Sequence, residues 1–447
     1  MKNYLKVKMI NLTKKLDGGL KVILIILLFL ITNIKSLSAS QILDFETEKF
    51  ITDILSDIKR VNRINKTIHF KINNNNQINA FVDYNNVIHI NSALIYNSKD
   101  YVALLSVLAH EVGHIDLNHI SSRKKKIKNI KKYKNLSFLS VIAGSAITQS
   151  PEVLQASTLS NAAVSNQYIV FTKEQEIEAD LYALRTLSLL DTNSISIIDL
   201  LKTIEKELMQ KGFSKDQQRL STHPYFEERV KLINNYNDIN KIKKNNINLN
   251  YNNRFNFIRA KFLGYSNNNE IVENLDEPFK TYAKSIVYSR NGDLKLSLEN
   301  LNKLIKNKNQ NDFILETKAD ILFSHGFTKE AVKFYRKNLT NYPDNFYAKI
   351  RVFENINTEK LSHNEIINIF DKNKDMLYNF FNNKNILLKY LKLAEQLEKK
   401  DWISFINFFL NINDVNKKNI NEEFIIFKKT KDKDLFKLIK KVEESIL

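Results

Sequence analysis

The sequence predicts an α+β fold that is mostly α: a compact domain holding a small β-hairpin or sheet, followed by an α-helical solenoid. Three observations predict it. Apolar residues recur at helical spacing through most of the chain, one stretch from Ile78 to Ile90 alternates instead, and a 34-residue offset relates segments beyond about residue 253. At 447 residues the chain exceeds what one hydrophobic core usually organises. We place the divisions at 1–40, 41–240, a linker at 241–252, and 253–447.

The first forty residues carry scattered lysines, then the apolar run "VILIILLFLITNI" from Val22 to Ile34, then "SLSAS". That order is the pattern of a secretory signal, with cleavage expected near Ala39 or Ser40. The run is shorter than the roughly 20 residues of a membrane helix, although an uncleaved anchor stays open. Export to an oxidising compartment follows from this reading. The chain has no cysteine, so any metal must be held by His and carboxylate side chains. The formal charge of +19 travels with abundant asparagine and isoleucine along the whole chain. It reads as compositional bias, and we expect no nucleic-acid partner.

Residues 41–70 read as a helix, with Ile42, Phe45, Ile51, Ile54, Leu55 and Ile58 at helical spacing. Next, "INAFVDYNNVIHI" is split by Asn85-Asn86, a hairpin signature. A helix capped by Ser98 or Asp100 follows, bearing "LLSVLAHEVGHIDLNHI" from Leu104 to Ile120. After it come the basic connector "RKKKIKNIKKYK" (123–134) and apolar stretches at 136–165. The connector reads either as a segment touching an anionic membrane surface or barrel substrate, or as a solvated loop before a buried helical pair. Thr172 and Gln175 have capping-box spacing, which starts a helix at Lys173. Beyond the asparagine-rich linker, Gly292 pairs with Gly326, Ser285 with Ala319, Ser297 with Ala331 and Leu301 with Tyr335 at the 34-residue offset. That period and "YPDN" at Tyr342 to Asn345 resemble tetratricopeptide repeats, whose stacked helices usually bind a peptide or partner protein.

On a helix, positions four apart share a face, so His110 and His114 can offer two imidazole nitrogens to one metal ion. Glu111 points roughly 100° away, where it can reach a water on the open side of such a site and act as a general base. A catalytic metal site needs a third protein ligand. In "EIEAD", Glu176 supplies it. Asp180, four residues on, can accept the second N–H of a ligand histidine. Glu178 lies off that face and lacks such support. His119 is five positions past His114, so a cap or surface role is expected for it.

The set His110, Glu111, His114, Glu176 and Asp180 resembles the glutamate-zincin metallopeptidases. With the signal, "STHPYFEER" at Ser221 to Arg229 and the C-terminal repeats, the chain is similar to the periplasmic beta-barrel assembly-enhancing protease family. The resemblance implies a zincin-like domain holding Zn2+, one per chain, in an envelope endopeptidase that degrades stalled or misfolded outer-membrane proteins. Its substrates would be unfolded or misassembled envelope proteins, with a protein partner on the repeats. It also implies that His223 can occupy the open metal position and hold the enzyme latent; Pro224 after it favours the extended backbone this needs. Arg229 would orient that loop or stabilise an oxyanion. Residues Val87, Ile88, His89 and Ile90 would form an edge strand that pairs with extended substrate, unless that strand is internal. The rival reading is a chaperone or scaffold for outer-membrane protein assembly, with the metal site latent or plugged.

Overall fold

The computed structural model describes residues 41–122, 171–192, 194–210, 212, 226–239, 247–266, 268–306, 311, 313–359, 361–381, 383–411 and 420–446. The expected signal (1–40), the basic connector, the apolar stretches at 136–165 and His223 lie outside the described residues. The fold is α+β and mostly helical. Ser40–Ile314 and Leu315–Leu447 are two compact units.

The first unit opens with a short strand β1 (Gln41–Ile42) and helix α1 (Phe45–Asn62). The continuous helix expected over 41–70 is therefore trimmed at both ends. Asp44 caps α1 by accepting from the Thr47 amide at 2.8 Å, and Arg63 ends it in the left-handed region at φ 56°. The flanking residues go to the sheet instead. It holds β1, β2 (His69–Asn73), β3 (Ala80–Val82) and β4 (Val87–Asn91) in the order β1-β2-β4-β3. β3 and β4 form the antiparallel hairpin, with Val82 opposite Ile88 and a turn that places Asn86 at φ 60°.

The sheet order corrects one expectation. Val87 to Ile90 lie on β4, which pairs in parallel with β2 on one side and antiparallel with β3 on the other. A central strand has its ladder groups taken on both edges, so it is not the strand that adds substrate. Among the described residues β3 is the outermost strand on that side. His89 is buried there, stacked on Phe81 at 4.7 Å, with Nδ1 near Asn73 and Nε2 3.2 Å from Asp83. It braces the hairpin.

Helix α2 (Ser92–Asn97) ends at Ser98, whose hydroxyl donates to the Leu94 carbonyl. Asp100 is the residue that caps α3 (Tyr101–Asp116), accepting from the Ala103 amide at 3.0 Å. Helix α4 (Lys173–Leu189) starts with the full Thr172/Gln175 capping box. Helices α5 (Ile195–Gln210) and α6 (Phe226–Ile239) pack beside them. Ser196 donates to the outer oxygen of Asp100, tying α5 to the start of α3.

The division expected at 241–252 does not separate the compact units. Helix α7 (Leu249–Tyr265) is part of the first one: Phe255 is fully buried 5.9 Å from the ring of Phe50, and Tyr251 lies between Phe50 and Tyr101. Lys261, buried on the same helix, bridges Asp44 at 2.9 Å and Glu46 at 2.6 Å. Asparagines on the outer face of α7 lower its mean hydropathy and hide this stripe. After α8 (Asn269–Glu273), helices α9 (Phe279–Arg290) and α10 (Leu294–Lys306) form a pair joined through Gly292 at φ 86°.

In the second unit, α11 (Ile314–Ser324) and α12 (Thr328–Asn341) are joined through Gly326 at φ 84°. The residues read as equivalent in the two pairs, Ser285, Ser297 and Leu301 in one and Ala319, Ala331 and Tyr335 in the other, are all buried. Asn345 caps α13 (Phe346–Glu354) and also donates to Glu316 and Asn338. The remaining helices, α14 (His363–Lys372), α15 (Lys374–Phe380), α16 (Lys384–Gln396), α17 (Lys400–Asn411), α18 (Ile420–Lys428) and α19 (Lys433–Ile446), close over Phe370, Tyr390, Trp402, Phe405 and Phe408. Among the described residues no helix is long and apolar enough to cross a membrane.

Candidate metal centre

Helix α3 places His110 and His114 one turn apart, both buried, with their Nε2 atoms 3.0 Å from each other. Glu176, in the first turn of α4, brings its carboxylate to 3.5 Å from His110 Nε2 and 3.6 Å from His114 Nε2. Ligand atoms ~2.0–2.1 Å from a tetrahedral ion lie ~3.3 Å from one another. The three side chains are therefore spaced as ligands around one small cation, and this group can hold a metal ion.

The approach of the two helices depends on Gly113, between the histidines. A Cβ there would lie 3.1 Å from the Tyr182 Cβ on α4. Tyr182 in turn donates from its hydroxyl to Asp116 at the end of α3.

Asp180, one turn beyond Glu176, is buried with Oδ1 2.8 Å from His110 Nδ1. A carboxylate there keeps the proton on Nδ1 and leaves the Nε2 lone pair for a metal. Arg229 on α6 holds the same carboxylate with two nitrogens and lies 3.5 Å from Glu176. Its guanidinium thus braces Asp180, while the loop it was expected to orient lies outside the described residues. Burial opposes the charge on Asp180, Arg229 and His110. For Asp180 the Arg229 charge outweighs burial and holds the carboxyl below its ordinary range, and Arg229 is held above its own by Asp180, Glu176 and Glu111. For His110, burial and Arg229 press the imidazolium down, yet its bonds to Asp180 and Glu176 prevail and the pKa is pushed up to about 9.

His114 has a partner that its spacing concealed. His119, expected in a cap or surface role, is only 4% exposed and its Nδ1 sits 2.9 Å from His114 Nδ1. The helix ends at Asp116 and Asn118 adopts φ 58°, so helical phase is broken and a new turn carries His119 back over His114. Its Nε2 lies 2.9 Å from Glu178, the acidic residue set aside in the sequence. Burial lowers the His119 pKa, with Glu178 acting against it. Asn118, as a residue tolerant of the left-handed region, was the signal that could have revealed this. Phe171 stacks on the other side of His114, with ring centroids 3.6 Å apart.

Glu111 is buried beside His110 and faces a mostly apolar cavity of about 60 Å³. Ile78 and Ala80 from the hairpin side, Ile197, Leu201 and Ile204 from α5, and Phe226 line it. A carboxylate, His110 of the histidine pair and a mostly apolar cleft thus meet at one place. His223 and its loop are outside the described residues, and β4 with Val87 to Ile90 is not at the cavity's edge.

Comparison with known proteins agrees with the chemistry of this cluster. Residues 46–237 match the family model for peptidase family M48. Over 175 residues, 39% of this chain and 35% of the relative, the sequence is 26% identical to the beta-barrel assembly-enhancing protease of Yersinia pestis. It is likewise 26% identical over 178 residues to the protein of that name from Escherichia coli (strain K12), again 39% of this chain and 35% of the relative. The matched region spans about a third of the length of these curated relatives. Residues 46–237 are thus similar to the peptidases of family M48, a likeness that fits the ligand-like spacing of His110, His114 and Glu176.

Proposed function

We propose that this protein is a zinc-dependent endopeptidase of the periplasm that hydrolyses misfolded or stalled outer-membrane proteins. The observation that carries the reading is the convergence of His110 Nε2, His114 Nε2 and the Glu176 carboxylate at 3.0 to 3.6 Å. Soft thiolates are absent and the donors are imidazole and carboxylate, a set that suits zinc in a catalytic site. Bound there, zinc supplies a Lewis acid that polarises a carbonyl and acidifies water.

The chain's own residues do the rest. Glu111 takes the proton of the attacking water and passes it to the leaving amine, a transfer worth typically 10²–10⁴ in rate. Asp180 and Arg229 keep His110 in one tautomer and orientation. The apolar wall from α5 excludes bulk water from the cleft, which strengthens each electrostatic contact inside it. The envelope location and substrate class rest on the N-terminal signal pattern and on the relatives' names. The helical pairs from α9 onward are read as a tetratricopeptide-type platform for substrate or assembly machinery, and His223 as a latency ligand.

The test is degradation of an unfolded model protein by the purified chain at equal zinc content. Wild type should cleave, Glu111→Gln should keep zinc and fold while losing cleavage at least 100-fold, and His223→Ala should cleave faster. Substantial cleavage by Glu111→Gln refutes the assignment of the base.

A further inference from the structure

The two histidines of the cluster are held differently. His110 leans on a buried carboxylate clamped by arginine, whereas His114 leans on a second imidazole. A histidine that presents Nε2 to a metal carries its proton on Nδ1 and must donate it. The Nδ1 of His119, 2.9 Å away, must then accept, which leaves the His119 proton on Nε2. That nitrogen faces Glu178 Oε2 at 2.9 Å, an acceptor only. One assignment of protons satisfies both contacts.

The turn that carries His119 is itself fixed. The Ser122 hydroxyl donates to the His119 carbonyl at 2.8 Å and accepts from Gln175 at 3.2 Å, so the turn is tied to the start of α4, the helix that bears Glu176.

We infer that His119 is a positioning residue for the metal centre: with Glu178 it forms a relay that fixes the tautomer and ring orientation of His114. This rests on His114 holding the metal as proposed above. His119 does not touch the ion; its Nδ1 is turned to His114 Nδ1, the ring nitrogen away from the ligand cluster. Glu178, 60% exposed at its side chain, is the outer end of the relay.

Zinc affinity of the full chain, measured by competition with a chromophoric chelator, tests this without recourse to activity. His119→Phe keeps the bulk and removes the acceptor, and should weaken zinc binding about 10–100-fold. His119→Gln, whose amide oxygen can accept from His114, should recover most of that loss. Visible bands of the cobalt-substituted protein should shift in His119→Phe and return towards wild type in His119→Gln. A folded His119→Phe with wild-type zinc affinity overturns the relay. Should that variant fail to fold, Glu178→Ala at its exposed position decides: several-fold weaker zinc binding supports the relay, and unchanged affinity overturns it. Failure of the wild type to take up zinc overturns the metal site itself, an outcome separate from equal affinities among the variants.

Discussion

Arg229 grips Asp180 with two nitrogens, Nε 2.8 Å from Oδ2 and Nη2 2.7 Å from Oδ1, and both side chains are buried. The same Oδ1 lies 2.8 Å from His110, so one carboxylate serves both an ion pair and a candidate metal ligand. Removing it should have two separable effects. Asp180→Ala leaves a buried guanidinium without its principal partner, which should cost about 3–5 kcal/mol in the metal-free protein. It should also weaken zinc binding about 10–100-fold, because His110 loses the acceptor that orients it. Urea denaturation with chelator present reads the first effect, and zinc competition reads the second.

Proton and metal compete for His110. Its folded pKa of about 9 lies above its ordinary unfolded value near 6.5. The charged imidazolium therefore stabilises the metal-free fold fully below about pH 6.5, and that contribution is lost as pH rises towards about 9. A bound metal needs the deprotonated ring, so the loaded protein lacks this dependence on His110. Melting temperatures in chelator should fall from pH 6.5 to 9 relative to those in zinc, and zinc uptake near neutral pH should release a proton to an indicator dye. A constant difference between the two melting curves across this range contradicts the prediction.

Gly113 is where α3 passes close to Tyr182 of α4. Its added Cβ would meet the Tyr182 Cβ and Cγ at 3.1 and 3.2 Å, and those atoms sit near the backbone and yield little. Gly113→Val adds further bulk on the same line and should destabilise the domain by about 1–3 kcal/mol. Displacing α4 also moves Glu176 from the histidines, so zinc affinity should fall with stability. Thermal melting together with zinc competition checks both.

The juxtaposition of His110, His114 and Glu176 was legible because it depends on local helical geometry and on one cap. Spacing of four residues places the histidines, and the Thr172/Gln175 box fixes where α4 begins and hence which face Glu176 and Asp180 share. His119 was not legible by the same rule, since a single left-handed residue at Asn118 resets the phase after α3. The hairpin could be read from alternation and Asn85-Asn86, but its neighbours could not. Alternation marks a strand without saying whether β2 or solvent lies beyond it, so it left β4 open as edge or internal strand, and β3 holds the edge.

The linker expected at 241–252 falls inside the first compact unit for a related reason, and the domain limit is testable. Asparagine-rich sequence from 241 to 252 resembles a linker in composition, yet Tyr251, Phe255 and Ile258 lie on the buried stripe of α7. Tyr251 donates to Asp57 at 2.8 Å, Arg254 to Asp53 at 2.7 Å, and Phe255 packs beside Phe50. Farther along, Asn311 donates to Glu46 and Phe313 lies 6.1 Å from Phe45. A chain ending at residue 245 therefore uncovers α1 and leaves Glu46 and Asp44 without Lys261, whereas one ending at 314 keeps every one of these contacts. The longer fragment should unfold in one cooperative transition; the shorter should show none, or melt with a broad transition and bind a hydrophobic dye. The full chain with Phe255→Ala should lose about 3–5 kcal/mol by the same logic, measured in urea. Equal cooperativity of the two fragments would return the boundary to the asparagine-rich segment.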